Sequence, residues 1–247
     1  MSTGEELFEL GEKISSWSER AAKDASVSIA APALVFGGPV RELAADLHRN
    51  QGNPGDVIKA GAKWIQLAER QRAASEKLAD RARTVTDEHW KGADAGAFGD
   101  ASDEVADRLD RLAAEATRNG VRLVELGTSM AAYCSHMAAS AREVQACFDA
   151  YLAALRDPGS AAGAPALRQD CERAAAAMSD SARHLAGRIE AKAADRSSEE
   201  AEGPPPVLSG ARLPRMVRAL ASYTDRSDRP GFDAVVDLEE ALEDDER

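Results

Sequence analysis

Large rings are scarce in this chain: only 4% of its 247 residues are aromatic, three Trp, three Tyr and five Phe. The hydrophobic fraction still reaches 44%, so most of it is small, and alanine, roughly a fifth of all positions, supplies it. Alanine has the highest helix propensity and makes poor strands, which excludes an all-β or doubly wound fold. Cysteine is rare as well. Cys134, Cys147 and Cys171 form no CxxC pair, and an odd count is no disulfide framework, so a reduced, cytoplasmic compartment at synthesis is expected. No long apolar run is present: Val27 to Val40 is too short to span a bilayer and is broken by Pro32, Gly37, Gly38 and Pro39. Basic clusters are missing too, and a net charge of −12 argues against nucleic acid or an anionic membrane as partner. The acidic stretch Met1 to Leu10 lacks a signal-peptide pattern, so classical secretion is not expected.

Catalytic signatures are also wanting. The chain has no phosphate-binding glycine loop, no HExxH and no GxSxG. Its carboxylates alternate with arginine at helical-surface spacing, as in Asp103, Asp107, Arg108 and Arg111, the pattern of a solvated face. His48, His89, His136 and His184 are scattered. A metal site would need the chain to fold back near residues 157 to 160, bringing Cys134 and His136 level with His184, and Cys147 near Cys171. The expectation is a non-enzyme with no cofactor and no metal.

What is present is helical periodicity. From Val57 the small or apolar positions step by four and three through Gly61, Trp64, Ala68, Gln71, Ser75, Leu78, Ala82 and Val85, a heptad seam. Asn53 before Pro54 supplies an N-cap, so this helix starts near residue 54 and runs to about 88. The stepping resumes through Val105, Leu109, Leu112, Ala116, Asn119, Leu123, Leu126, Met130, Tyr133, Met137, Ser140, Val144 and Cys147, predicting a second helix from about 94 to 156. Asn119 and Gln71 read as register-setting polar residues in these seams. Asp157 to Ser160 is turn chemistry, and Pro165 restarts a third helix to about residue 196, seamed by Leu167, Cys171, Ala174, Met178, Ser181, Leu185 and Arg188. At 1.5 Å per residue the lengths are roughly 50, 90 and 45 Å, so the third helix can cover what the first leaves exposed on the second. The fold class expected is all-α: an elongated antiparallel helical bundle built on a long helical hairpin, with a flexible acidic C-terminal tail.

The organisation follows. Residues 1–50 read as a short amphipathic helix through Leu7, Leu10, Ile14, Trp17 and Ala21, an irregular apolar segment, and a second short helix over Val40 to Arg49, all packing on the bundle. Residues 51–197 hold the hairpin and the back-folding third helix. Residues 198–247 begin with Glu199, Glu200 and Glu202 before Gly203 and three prolines, and carry 13 acidic and 6 basic residues, a composition that reads as mostly disordered. Pro214 to Tyr223 and Phe232 to Leu242 have amphipathic patterns that can order on binding.

The junction of the two long helices reads Glu88, His89, Trp90, Lys91, Gly92, Ala93, Asp94, Ala95, Gly96, Ala97, Phe98. A reversal there calls for a residue tolerant of positive φ, supplied by Gly92, with Trp90 covering the end of the hairpin core and Phe98 entering the seam. This resembles the tryptophan-variable-glycine turn of the WXG superfamily, the helical hairpins of type VII secretion systems. The longer pattern, GNPGDV at 52 to 57, Trp64, then WKGADAGAF at 90 to 98, is similar to hairpin modules at the N-termini of actinobacterial type VII substrates. The resemblance covers about residues 52 to 156. It implies a secretion substrate or secreted partner acting through helix–helix pairing, with a second helical protein or another copy as partner and the type VII machinery as its route out of the cell. The motif residues are then Trp90, Gly92 and Phe98, and the pairing seam is Trp64, Leu78, Leu109, Leu112, Leu123, Met130 and Met137. One element departs from the family: the export signal Tyr-x-x-x-Asp/Glu is absent, since Tyr133, Tyr151 and Tyr223 are followed at four by Met137, Leu155 and Ser227. The other reading is an intracellular helical scaffold whose acidic tail binds partners.

Overall fold

A computed structural model of the protein describes residues 2–49, 52–86 and 90–194. Five helices follow one another: α1 (Thr3–Phe36), α2 (Gly38–Arg49), α3 (Pro54–Thr84), α4 (Ala93–Arg156) and α5 (Ala164–Ala194), with a 3-10 turn at Ala161–Gly163 before α5. No strand occurs among the described residues. The protein is an all-α bundle strung along α4, whose 64 residues span about 96 Å. The tail at 198–247, with its two amphipathic segments, lies outside the described residues.

Asn53 starts α3 as the local chemistry demands: its Oδ1 accepts from the Gly55 and Asp56 amides at 3.0 and 3.3 Å. Its Nδ2 donates to Ser15 Oγ at 2.6 Å, tying the start of α3 to α1. The N-terminal region departs from expectation. In place of a short helix and an irregular segment, Thr3–Phe36 is one helix of 34 residues that runs through Pro32. Proline removes one helical donor, but its ring is fully buried here, and the side chain of Arg41 donates to the Ala33 carbonyl at 3.1 Å near the helix end. The break comes later, at Gly37 and Gly38, whose φ values of 66° and 34° turn α1 into α2.

Helices α1 and α3 are antiparallel, as are α3 and α4, and both pairs meet through glycine. A Cβ on Gly61 would lie 2.6 Å from the Gly120 carbonyl oxygen, and one on Gly120 would lie 2.8 Å from that of Gly61. Gly127 sits equally close to the Pro54 carbonyl, at 2.9 Å, and Gly55 closer still to that of Gly11. Between these contacts Leu7, Leu10, Ile14, Ile58, Ala62, Ile65, Val121 and Val124 form a three-helix core. Farther along α4, Phe36, Val40, Leu43, Met137, Val144, Phe148, Cys171 and Ala175 form a second core from α1, α2, α4 and α5. Toward the hairpin tip only α3 and α4 remain, joined by a small cluster of Ala68, Ala113 and Ala116.

The expected seam holds in part: Gly61, Ala68, Ser75, Ala82 and Ala116 are buried on it, as are Tyr133, Met137, Ser140 and Val144 farther along α4, while at its larger residues nearer the hairpin tip the contact is displaced. Leu112, Val105, Leu123 and Asn119 are not the contact residues. Ala113, Ala106, Val124 and Gly120, one position later, are the buried ones. Small residues win because backbones this close have no room for leucine between them.

Gly120→Ala places a methyl against backbone that cannot yield, so it should destabilise by about 1 to 3 kcal/mol and lower the melting temperature by several degrees. Gly92→Ala, discussed below, should leave it within about 1 °C. Thermal denaturation of the two variants beside the wild type checks both.

Candidate functional site

The hairpin turn comes first. Helix α3 loosens into a wider turn at Val85 and Thr86, and the Trp90 amide donates to the Val85 carbonyl at 2.8 Å. Gly92 has φ 171° and ψ 176°, extended backbone open to any residue, and a Cβ there would meet nothing within 4 Å. The positive φ expected at Gly92 is not found, and the turn does not require glycine there. Trp90 packs against Phe98, with centroids 5.5 Å apart, but the two rings stay 40% and 38% exposed. They make an apolar tip, not a sealed end.

Beyond the tip, the expected pairing residues divide. Met137 is buried in the four-helix core. Leu78, Leu109, Leu123 and Met130 are half-buried. Trp64 and Leu112 are 41% and 49% exposed, which corrects their placement in the α3–α4 contact. Each of these hairpin residues precedes or follows a buried seam residue on the same side of its helix: Trp64 before Ile65, Leu67 before Ala68, Val105 before Ala106, Leu112 before Ala113. In antiparallel helices that side is shared, so Trp64, Leu67, Leu78, Phe98, Val105, Leu109 and Leu112 lie along one face. Helix α1 packs on the other face, where its Gly4 approaches Ala62 and Gln66. From Trp64 to the tip the open face is about 30 Å long.

Polar groups hold the seam beneath it. Arg72 donates to Thr117 Oγ1 at 2.9 Å and Ser75 Oγ to the Ala106 carbonyl at 3.2 Å. The two expected register residues do not pair with each other: Asn119 is exposed, and the Oε1 of Gln71 is screened from solvent without a hydrogen-bond partner. Register is set by the glycine contacts and by Arg72 and Ser75, a signal hidden in a pattern of large apolar residues.

The titratable groups of the four-helix end converge only in part. His136 is buried with Nε2 3.4 Å from the Met178 carbonyl, whereas His184 is exposed, so the two do not share a site. No group of three or more His, Cys, Asp or Glu able to hold a metal occurs among the described residues. Cys147 and Cys171 do meet, across α4 and α5. Burial pushes the Cys171 thiol up to about 12, helped by the hydrogen bond that the protonated thiol makes to Cys147 and by the proximity of that group. Burial likewise holds Cys134 at about 11. Unprotonated thiolate is therefore scarce at both sites. A groove of about 860 Å³ runs along α1 beside Tyr133, Cys134 and Met137. Its walls mix alanine with Val27, Leu47 and Met137 and with the polar residues Ser18, Glu19, Lys23, Ser26 and Asn53. No described helix is long and apolar enough to cross a membrane.

Comparison of the chain with protein-family models, with curated proteins and with solved structures finds no match.

Burial lowers the His136 pKa below its ordinary 6.5, against the opposing pull of the Met178 carbonyl. A depressed folded pKa contributes stability above pH about 6.5 that is lost as pH falls through the folded value. Melting temperature should thus drop between about pH 7 and about pH 5, and His136→Gln should flatten that slope. For the thiol pair, oxidised glutathione should join Cys147 to Cys171, two protein thiols and one small disulfide giving one protein disulfide and two small thiols. Titratable thiols then fall from three to one, and the melting temperature rises by several degrees because a long loop is closed.

Proposed function

We propose that the protein is a non-catalytic component associated with type VII secretion, a substrate or a secreted partner, acting by pairing its helical hairpin with other helices. One observation carries the reading: half of the hairpin is a two-helix stretch whose open face presents Trp64, Leu67, Val105 and Leu112 to solvent. A two-helix stretch lined by alanine buries little apolar area, and helical bundles gain stability by enclosing such a face with a third or fourth helix. A row of large apolar residues on one face marks a contact surface. Trp90, Gly92 and Phe98 stand at the reversal between α3 and α4, where the WXG resemblance puts its motif. Helices α1, α2 and α5 wrap the far end of α4 and leave the motif end free.

The absence of a Tyr-x-x-x-Asp/Glu signal favours a second reading, an intracellular helical scaffold using the same open face. The two separate on export. In an actinobacterial host with a type VII system, the first reading expects the protein in the medium, lost when the secretion ATPase is deleted. Retention in the cell with and without the ATPase supports the scaffold. Leu112→Asp probes the face itself: its side chain is half exposed, so the melting temperature should stay within about 2 °C, while export falls at least about tenfold, the cost of an interface residue worth roughly 1.4 kcal/mol or more. Unchanged export of Leu112→Asp would remove the face from the mechanism.

A further inference from the structure

The open face is asymmetric in charge. Along its α3 edge stand Lys63, Arg70, Lys77 and Arg81, all exposed, with Trp64, Leu67, Gln71, Ala74 and Leu78 between them and no acidic residue from 63 to 68 or from 70 to 75 on that edge. The opposite face of the same stretch carries Glu76, Asp80, Asp100, Asp103, Asp107 and Asp110. A chain of net charge −12 thus keeps a basic border on this apolar face. The partner this fits is an acidic amphipathic helix. A second copy is a weaker match than an acidic helix, because its α3 border is the same four cations and its α4 border is mixed, with Glu104 and Glu115 beside Arg108 and Arg111.

The chain holds such a segment. Phe232 to Leu242 sets Phe232, Val235, Val236, Leu238 and Leu242 at helical spacing among Asp233, Asp237, Glu239 and Glu240, with no basic residue. Its path is short. Helix α5 is antiparallel to α4, with Met178 opposite His136 and Cys171 opposite Cys147. Sixteen residues past Met178, Ala194 comes level with about residue 120 of α4, and the chain leaves it heading toward the hairpin tip. The centre of the open face, near Leu109, is then only about 17 Å farther along α4. The 37 residues from 195 to 231 reach about 33 Å as a flexible linker, which puts the segment at millimolar effective concentration over the face.

Resting on the reading of that face as the contact surface, we infer that the segment Phe232–Leu242 docks on the apolar, basic-bordered face between α3 and α4 and competes with an outside helix for it. The partner displacing the segment must itself be apolar and acidic.

Hydrogen exchange on the full-length protein tests this, comparing the wild type with the double variant Phe232→Asp, Leu242→Asp. The variant should exchange several-fold faster in 70–86 and 93–116, with α1, α2 and α5 unchanged. High ionic strength should produce the same acceleration in the wild type, because the borders are charged. Equal exchange in wild type and variant overturns the proposal. So does wild-type protection that fades on dilution, which identifies a second copy as the occupant. If the segment gives no protection while Leu112→Asp still abolishes export, the intramolecular contact falls and the open face stands.

Discussion

Everything in this molecule depends on how closely α3 approaches α4. Gly61 and Gly120 face each other with no space for a Cβ on either side, and Gly127 repeats the contact against the start of α3. Backbones held this near gain dispersion along the contact, and the larger residues that stay in it, Ile58, Ile65 and Val124, pack onto a glycine of the facing helix. The leucines and tryptophan of both helices are pushed aside, onto flanks where only another helix can bury them. Close packing inside the hairpin and apolar exposure outside it are one fact.

The two flanks have different fates. On one, α1 repeats the glycine contact through Gly11 against Gly55 and supplies Leu7, Leu10 and Ile14 as a third layer. It begins at Thr3, level with Gln66, so its cover ends there. At the far end α2 and α5 complete four helices around α4, pinned by Ser179 donating to the buried Asp46 at 2.9 Å and by Arg183 bridging to Glu42. The other flank of the hairpin receives no such layer, and its basic border makes it selective. Hydrophobic burial supplies the driving force for docking there, and the charges decide between partners.

Much of the architecture was readable in advance, and the exceptions are physical. Helix limits followed from local chemistry where it was strong: Asn53 with Pro54, Asp157 to Ser160 and Pro165 act within a turn or two, and α3 begins, α4 ends and α5 begins where those residues put them, whereas α3 ends at Thr84, short of the expected 88. Pro32 misled because a proline's cost depends on what surrounds it, and here its ring is fully buried within the helix packing. Gly92 misled for the opposite reason: a glycine at a reversal suggests positive φ, and this one is extended. Where the stepping landed on small residues, at Gly61, Ala68, Ser75, Ala82 and Ala116, it found the buried seam; where it landed on Trp64, Val105, Leu112 and Leu123, the buried position is the next one along. Heptad stepping thus identified Trp64, Leu78, Leu109 and Leu112 as a coherent face and assigned it the wrong neighbour.

The displaced seam is the central claim, and thiol labelling measures it directly. Leu112→Cys and Ala113→Cys, each read against the three native thiols at high ionic strength, place the probe one residue apart on α4. The account predicts rapid labelling at 112 and protection at 113 until the protein unfolds. Protection at 112 with rapid labelling at 113 would put the leucines back between the helices and leave the hairpin without its open face.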